Sequence, residues 1–122
     1  MAKIMVVDDD DNIRKLLEKF LSKKGYEVIT ARDGKEALEK IKERPEIMLL
    51  DIMMPKIHGL EVLDRIKESS PKTEIIMMTG FALNALGLES LQRGAFEFVT
   101  KPLDLEHVDF LISYRLAQMG SP

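Results

Sequence analysis

The stretch KIMVVDDDDNIRKLLEKFLSKKG, Lys3–Gly25, decides the fold. Ile4–Val7 is continuously apolar, as a strand covered on both faces should be. Four acids follow at once, Asp8–Asp11. Behind them Ile13, Leu16, Leu17, Phe20 and Leu21 recur at i, i+3, i+4, i+7 and i+8, one stripe of an amphipathic helix. Asp10 or Asp11 caps its start and Gly25 follows its end. The unit is a strand, an acidic turn and a helix.

The same unit recurs along the chain. Val28–Ala31, Ile47–Leu50, Ile75–Thr79 and Phe96–Thr100 are strand-length runs. The second and fifth runs carry polar residues, as edge strands would. Helical patterns cover Lys35–Glu43, Gly59–Ser69 and Asp104–Met119, the last with Leu105, Val108, Leu111, Ile112, Leu116 and Met119 as its stripe. Five alternations of strand and helix predict a parallel sheet with helices on both faces, and right-handed crossovers make it doubly wound. Phe81–Gly94 fits less well. With Leu88 and Leu91 as its core stripe, Leu83 and Leu86 lie on the opposite side, and Gly87 interrupts it. Either this helix starts near Gly87 or it exposes apolar side chains.

Composition narrows the function. A chain of 122 residues fits one domain and buries roughly two-thirds of its unfolded surface. With 18 basic against 21 acidic residues, a general attraction to nucleic acid is not expected. The absence of Cys excludes disulfides, thiolate zinc sites and a Cys nucleophile, and points to a reducing, cytoplasmic compartment. Only two His, His58 and His107, are present and far apart, which disfavours a His-built metal site. No apolar run approaches the length of a membrane span. Residues 119–122 read as a frayed tail or the start of a linker behind a domain over 1–118.

Open α/β sheets bind ligands beyond the carboxyl ends of their strands. There the sequence places Asp8 and Asp9, then Asp51, Thr79 and Lys101. Where the first and third strands are neighbours, ~4.8 Å apart, Asp8, Asp9 and Asp51 converge. Clustered carboxylates need a counter-charge, and a hard cation such as Mg²⁺ supplies it. Alone, four acids make a solvated turn, a lysine closes a loop and a threonine favours strand. Their shared placement at strand ends outweighs those readings. A carboxylate nucleophile with cations and a hydroxyl around it suits phosphoryl transfer, with Asp51 as the acceptor because it stands apart from the acid run.

These residues resemble a known family. Val7-Asp8-Asp9, Leu50-Asp51-Ile52-Met53-Met54-Pro55, Gly59, Met78-Thr79-Gly80, Gly94-Ala95 and Thr100-Lys101-Pro102-Leu103 are similar to the motifs of response-regulator receiver domains of two-component signalling. The resemblance spans Lys3–Leu116 and implies a flavodoxin-like strand order 2-1-3-4-5. It implies Asp51 as phosphoacceptor, with Asp8, Asp9, Asp51 and the backbone carbonyl of Met53 holding Mg²⁺, or Mn²⁺ in its place. Thr79 and Lys101 would contact the phosphoryl group, Thr79 and Phe98 would act as the switch, and the Lys101–Pro102 peptide would be cis. The donor would be a histidine kinase or histidine phosphotransfer protein. Such a switch promotes only its own phosphorylation and dephosphorylation and is not a turnover enzyme.

The resemblance also implies a partner face on the fourth helix, fifth strand and fifth helix, open to homodimerisation, with Leu83, Leu86 and Phe98 contributing. No direct nucleic-acid contact and no membrane contact are expected. His58 stands where relatives commonly have Asp, Phe98 where many have Tyr, and the apolar Phe81–Leu88 stretch is unusual. The alternative is a receiver-like binding module that works without phosphate; the complete set Asp8, Asp9, Asp51, Thr79 and Lys101 argues against it. An aspartyl phosphatase would have an acid where Met53 stands, and a nucleotide or flavin binder would have a Gly-rich loop after the first strand.

Overall fold

The computed structural model describes residues 1–80 and 84–120. Its elements alternate as the sequence predicts: β1 Lys3–Val7, α1 Asp11–Lys23, β2 Glu27–Ala31, α2 Gly34–Lys40, β3 Ile47–Asp51, α3 Gly59–Ser69, β4 Glu74–Thr79, α4 Asn84–Gln92, β5 Glu97–Thr100 and α5 Leu105–Gln118. The five strands form one parallel sheet in the order β2-β1-β3-β4-β5. The chain therefore has the doubly wound, flavodoxin-like fold.

Strand alternation divides the core into two layers. Met5, Val7, Met48, Leu50, Ile75 and Met77 face α2, α3 and α4, where Ala37, Leu63 and Ile66 meet them. Ile4, Val6, Ile47, Leu49, Ile76 and Met78 face α1 and α5, where Leu17, Leu21, Val108 and Ile112 meet them. The central strand β3 is buried throughout, which explains its unbroken apolar run.

Three helix starts follow acids. Asp10 caps α1, accepting from the N–H groups of Asn12 and Ile13; Asp33 caps α2 and Asp104 caps α5. One expectation shifts. The helix expected over Lys35–Glu43 ends at Lys40 and tightens into a 3-10 turn over Ile41–Glu43. Arg44 then closes the turn in the left-handed region at φ 57°, its N–H donating to the Ile41 carbonyl.

Candidate functional site

The register brings the predicted residues to one edge. Val7 pairs with Leu50, Leu50 with Met77 and Met77 with Phe98. One step further along each strand stand Asp8, Asp51, Met78 and Val99. Thr79 pairs with Thr100, and the Lys101 N–H donates to the Thr79 carbonyl at 2.7 Å. Asp8, Asp51, Thr79 and Lys101 thus stand at the carboxyl edge of four adjacent strands.

The four-acid run divides its labour. Asp8 is fully buried and held on every side. Its N–H donates to the Ala31 carbonyl at 3.2 Å. One carboxylate oxygen accepts from the Asp10 N–H at 2.9 Å and the other from Lys101 Nζ at 2.8 Å. Its carbonyl accepts from Arg14 Nη1 at 2.7 Å. Asp9 is exposed and turns one carboxylate oxygen toward the site. Asp10 is spent on the helix cap, and Asp11 pairs with Arg14. Only the first two acids of the run face the site.

Asp51 is 5 % exposed, with Oδ2 3.4 Å from Lys101 Nζ. Carboxylate oxygens of Asp8, Asp9 and Asp51 all lie within 4.8 Å of one another. Burial pushes the Asp51 pKa up from 3.8 to about 7; the charge of Asp8 pushes the same way, and Lys101 offsets only part of it. Burial pulls Lys101 down, but its hydrogen bond to Asp8 and the charges of Asp51 and Asp8 outweigh this and hold it above 10.5. Three carboxylates against one ammonium leave an excess of negative charge in a largely buried corner. A divalent cation taking hard oxygen donors fits that donor set.

Gly59 keeps this corner compact. A side chain there would collide with the Asp51 carbonyl and the Ile52 backbone, and the Gly59 N–H donates to the Ile52 carbonyl at 2.7 Å. His58 caps α3 through Nδ1, which accepts from the Leu60 N–H at 3.2 Å. The residue at which this sequence departs from the commoner Asp therefore does a helix-capping job. Met53, two residues past Asp51, is half-exposed. Thr79 is buried, and its hydroxyl donates to the Gly80 carbonyl at 3.2 Å. The Lys101–Pro102 peptide is cis.

The chain is similar to known proteins. The family model for the response regulator receiver domain matches residues 4–112. The chain is 36% identical over 107 residues to sporulation initiation phosphotransferase F of Bacillus subtilis, covering 87% of this chain and 86% of that protein. It is 39% identical to the alkaline phosphatase synthesis transcriptional regulatory protein PhoP of the same organism, covering 98% of this chain and 51% of the regulator. A solved CheY-like receiver domain of Methanospirillum hungatei superposes with a TM-score of 0.92 at 31% identity, covering 98% of this chain and 96% of that one.

The chain belongs to the response-regulator receiver family. Receiver domains are signalling switches of two-component systems rather than turnover enzymes. The chain spans about a quarter to a half of the first curated relatives it matches. Among the described residues, no helix of this receiver is long and apolar enough to cross a membrane.

The expected orientation of the fourth helix needs correction. Leu83 lies outside the described residues. α4 begins at Asn84 rather than at Gly87. Leu86 is partly buried and packs with Leu91 and Phe98 against the core layer of Met77 and Ala95. Leu88, expected inside, is 59% exposed. The buried face of α4 carries Gly87 and Ser90 between Leu86 and Leu91, so the expected stripe holds for Leu91 and fails for Leu88. Phe98 is half-buried and lies against Gly87.

Two features had no counterpart in the sequence reading. Arg14 ties the acidic turn down through the Asp8 carbonyl, a main-chain contact with no side-chain motif to announce it. On α5, Phe110 and Tyr114 stack outward with ring centroids 6.0 Å apart, and both are at least half-exposed. Aromatics at i and i+4, off the apolar stripe, were the available signal.

Proposed function

We propose that this receiver accepts a phosphoryl group on Asp51 from the phosphohistidine of a histidine kinase or histidine phosphotransfer protein. An Asp51 carboxylate oxygen bonds to phosphorus as the phosphorus–nitrogen bond breaks, and the donor imidazole leaves with the electron pair. Asp8, Asp9, Asp51 and the Met53 carbonyl would hold Mg²⁺, or Mn²⁺ in its place. When bound, the cation supplies positive charge to the transferring oxygens. Lys101 already stands between Asp8 and Asp51 and neutralises a phosphoryl oxygen. The Thr79 hydroxyl exchanges the Gly80 carbonyl for another, and Phe98 responds along β5. No further turnover is assigned to the chain beyond gaining and losing this group.

The output surface is the flank formed by α4, β5 and α5. Its exposed apolar residues are Leu88, Phe110 and Tyr114, with the half-buried Phe98 at the edge, and contiguous exposed apolar patches mark interaction sites. Homodimerisation uses the same flank. Residues 1–118 form the receiver; the chain works in the cytoplasm and does not itself bind nucleic acid.

The single observation that carries this reading is Lys101 Nζ at 2.8 Å from Asp8 and 3.4 Å from Asp51 beside converging carboxylates. Incubation with acetyl phosphate and Mg²⁺ should add one phosphoryl mass to the intact protein. Chelation should abolish the gain, and Asp51→Asn should not show it. An Asp51→Asn protein phosphorylated as fast as wild type would refute the assignment.

A further inference from the structure

We propose that Gly87 is a seat for the Phe98 ring, so that the size of the group at position 87 of α4 sets whether that ring lies inward or turns out onto the flank. A methyl group on Gly87 would lie 2.5 Å from Phe98 Cδ2 and 2.7 Å from both Cε2 and Cγ. Carbon atoms in contact sit about 3.5–4.0 Å apart. The ring therefore occupies the space that any side chain at 87 would claim.

The backbone does not ask for glycine here. The positive-φ glycines among the described residues are Gly25, Gly94 and Gly120, and Gly87 is not one of them. It sits inside an α-helix, where glycine weakens the element relative to alanine. The compensating gain is room for the ring. The surroundings hold the seat in shape: the buried Ser90 hydroxyl donates to the Gly87 carbonyl at 2.6 Å, and Leu86 and Leu91 join Phe98 in one core layer.

Phe98 is also well placed to report on the site. It pairs with Met77 on β4, two residues before Thr79, and stands three residues before Lys101 on its own strand. With the ring seated, the flank presents Leu88, Phe110 and Tyr114; with the ring out, it gains another aromatic. That consequence rests on the flank being the output surface, whereas the seat itself does not.

Two measurements on the unphosphorylated chain test the seat. With Phe rings selectively labelled, wild type should show NOEs from the Phe98 ring to the position-87 Hα and an upfield ring-current shift of that proton. Both should vanish in Gly87→Ala. Thermal unfolding should show Gly87→Ala lowering Tm in the wild-type background and raising it in a Phe98→Ala background, where the helix gains alanine without a clash. Should Gly87→Ala fail to fold, the comparison of Gly87→Ala/Phe98→Ala with Phe98→Ala still stands. Ring NOEs that persist in Gly87→Ala, or the same sign of Tm shift in both backgrounds, would overturn the seat. Failure of the acceptor reading is seen separately, in the acetyl phosphate assay.

Discussion

The acidic corner at the ends of β1 and β3 and the flank of α4, β5 and α5 are built in opposite ways. In the corner, backbone register fixes which residues meet, and each side chain of Asp8 and Lys101 has several partners. On the flank, the surface depends on how one helix is rotated, and its buried side sets Gly87 against the Phe98 ring. On the proposed reading, chemistry sits where the sheet leaves no freedom, and the readout sits where small changes of side-chain volume alter what is exposed.

The largest test of this contrast removes the ammonium from the corner. Lys101→Ala should slow phosphoryl gain from acetyl phosphate by ~10²–10³-fold, the usual cost of losing one charge-stabilising donor. Stopped-flow or timed mass measurements read it. A rate within a few-fold of wild type would mean Lys101 is only a structural tie.

Next comes the strain of burying Asp51. Its folded pKa of about 7 lies above the ordinary 3.8, so the folded chain holds a proton that the unfolded chain has released. Stability from this group is therefore fully present below pH ~4 and is lost as pH rises to about 7. Without Mg²⁺, Asp51→Asn should be more stable than wild type at pH 8 by on the order of 2–4 kcal/mol, and the gap should shrink toward pH 4. Denaturant unfolding across that range checks it. Mg²⁺ should stabilise wild type at pH 8 and do little for the variant.

The flank is probed by two leucines separated by one residue. Leu86→Ala should cost about 1–3 kcal/mol through lost packing, whereas Leu88→Ala should stay within ~0.5 kcal/mol. Equal costs would contradict the rotation of α4 described above. The smallest stability effect belongs to Phe110→Ala, again within ~0.5 kcal/mol because the ring is 61 % exposed. Sedimentation of the beryllofluoride-treated protein should nevertheless show weaker self-association for that variant.

The corner was legible in the sequence because strand ends are read directly: the residue after each apolar run is the residue at the edge. Asp51, Thr79 and Lys101 needed no knowledge of helix rotation. What the acid run hid was its division of labour, since four adjacent Asp look alike until Asp10 is seen capping α1 and Asp11 pairing with Arg14. The flank was misread for a physical reason. Apolar periodicity assumes that buried positions are apolar, and α4 buries Gly87 and Ser90 while exposing Leu88. The Phe110–Tyr114 pair escaped because only the inward stripe of α5 was traced.

The central claim is that Asp51 is the acceptor. Treating the Mg²⁺- and acetyl phosphate-incubated protein with borohydride reduces an aspartyl phosphate to homoserine, and peptide mass spectrometry locates it. The account predicts homoserine at position 51 and at no other acid, dependent on Mg²⁺. Homoserine at Asp8 or Asp9, or at none of the three while the intact mass still rises, would contradict it.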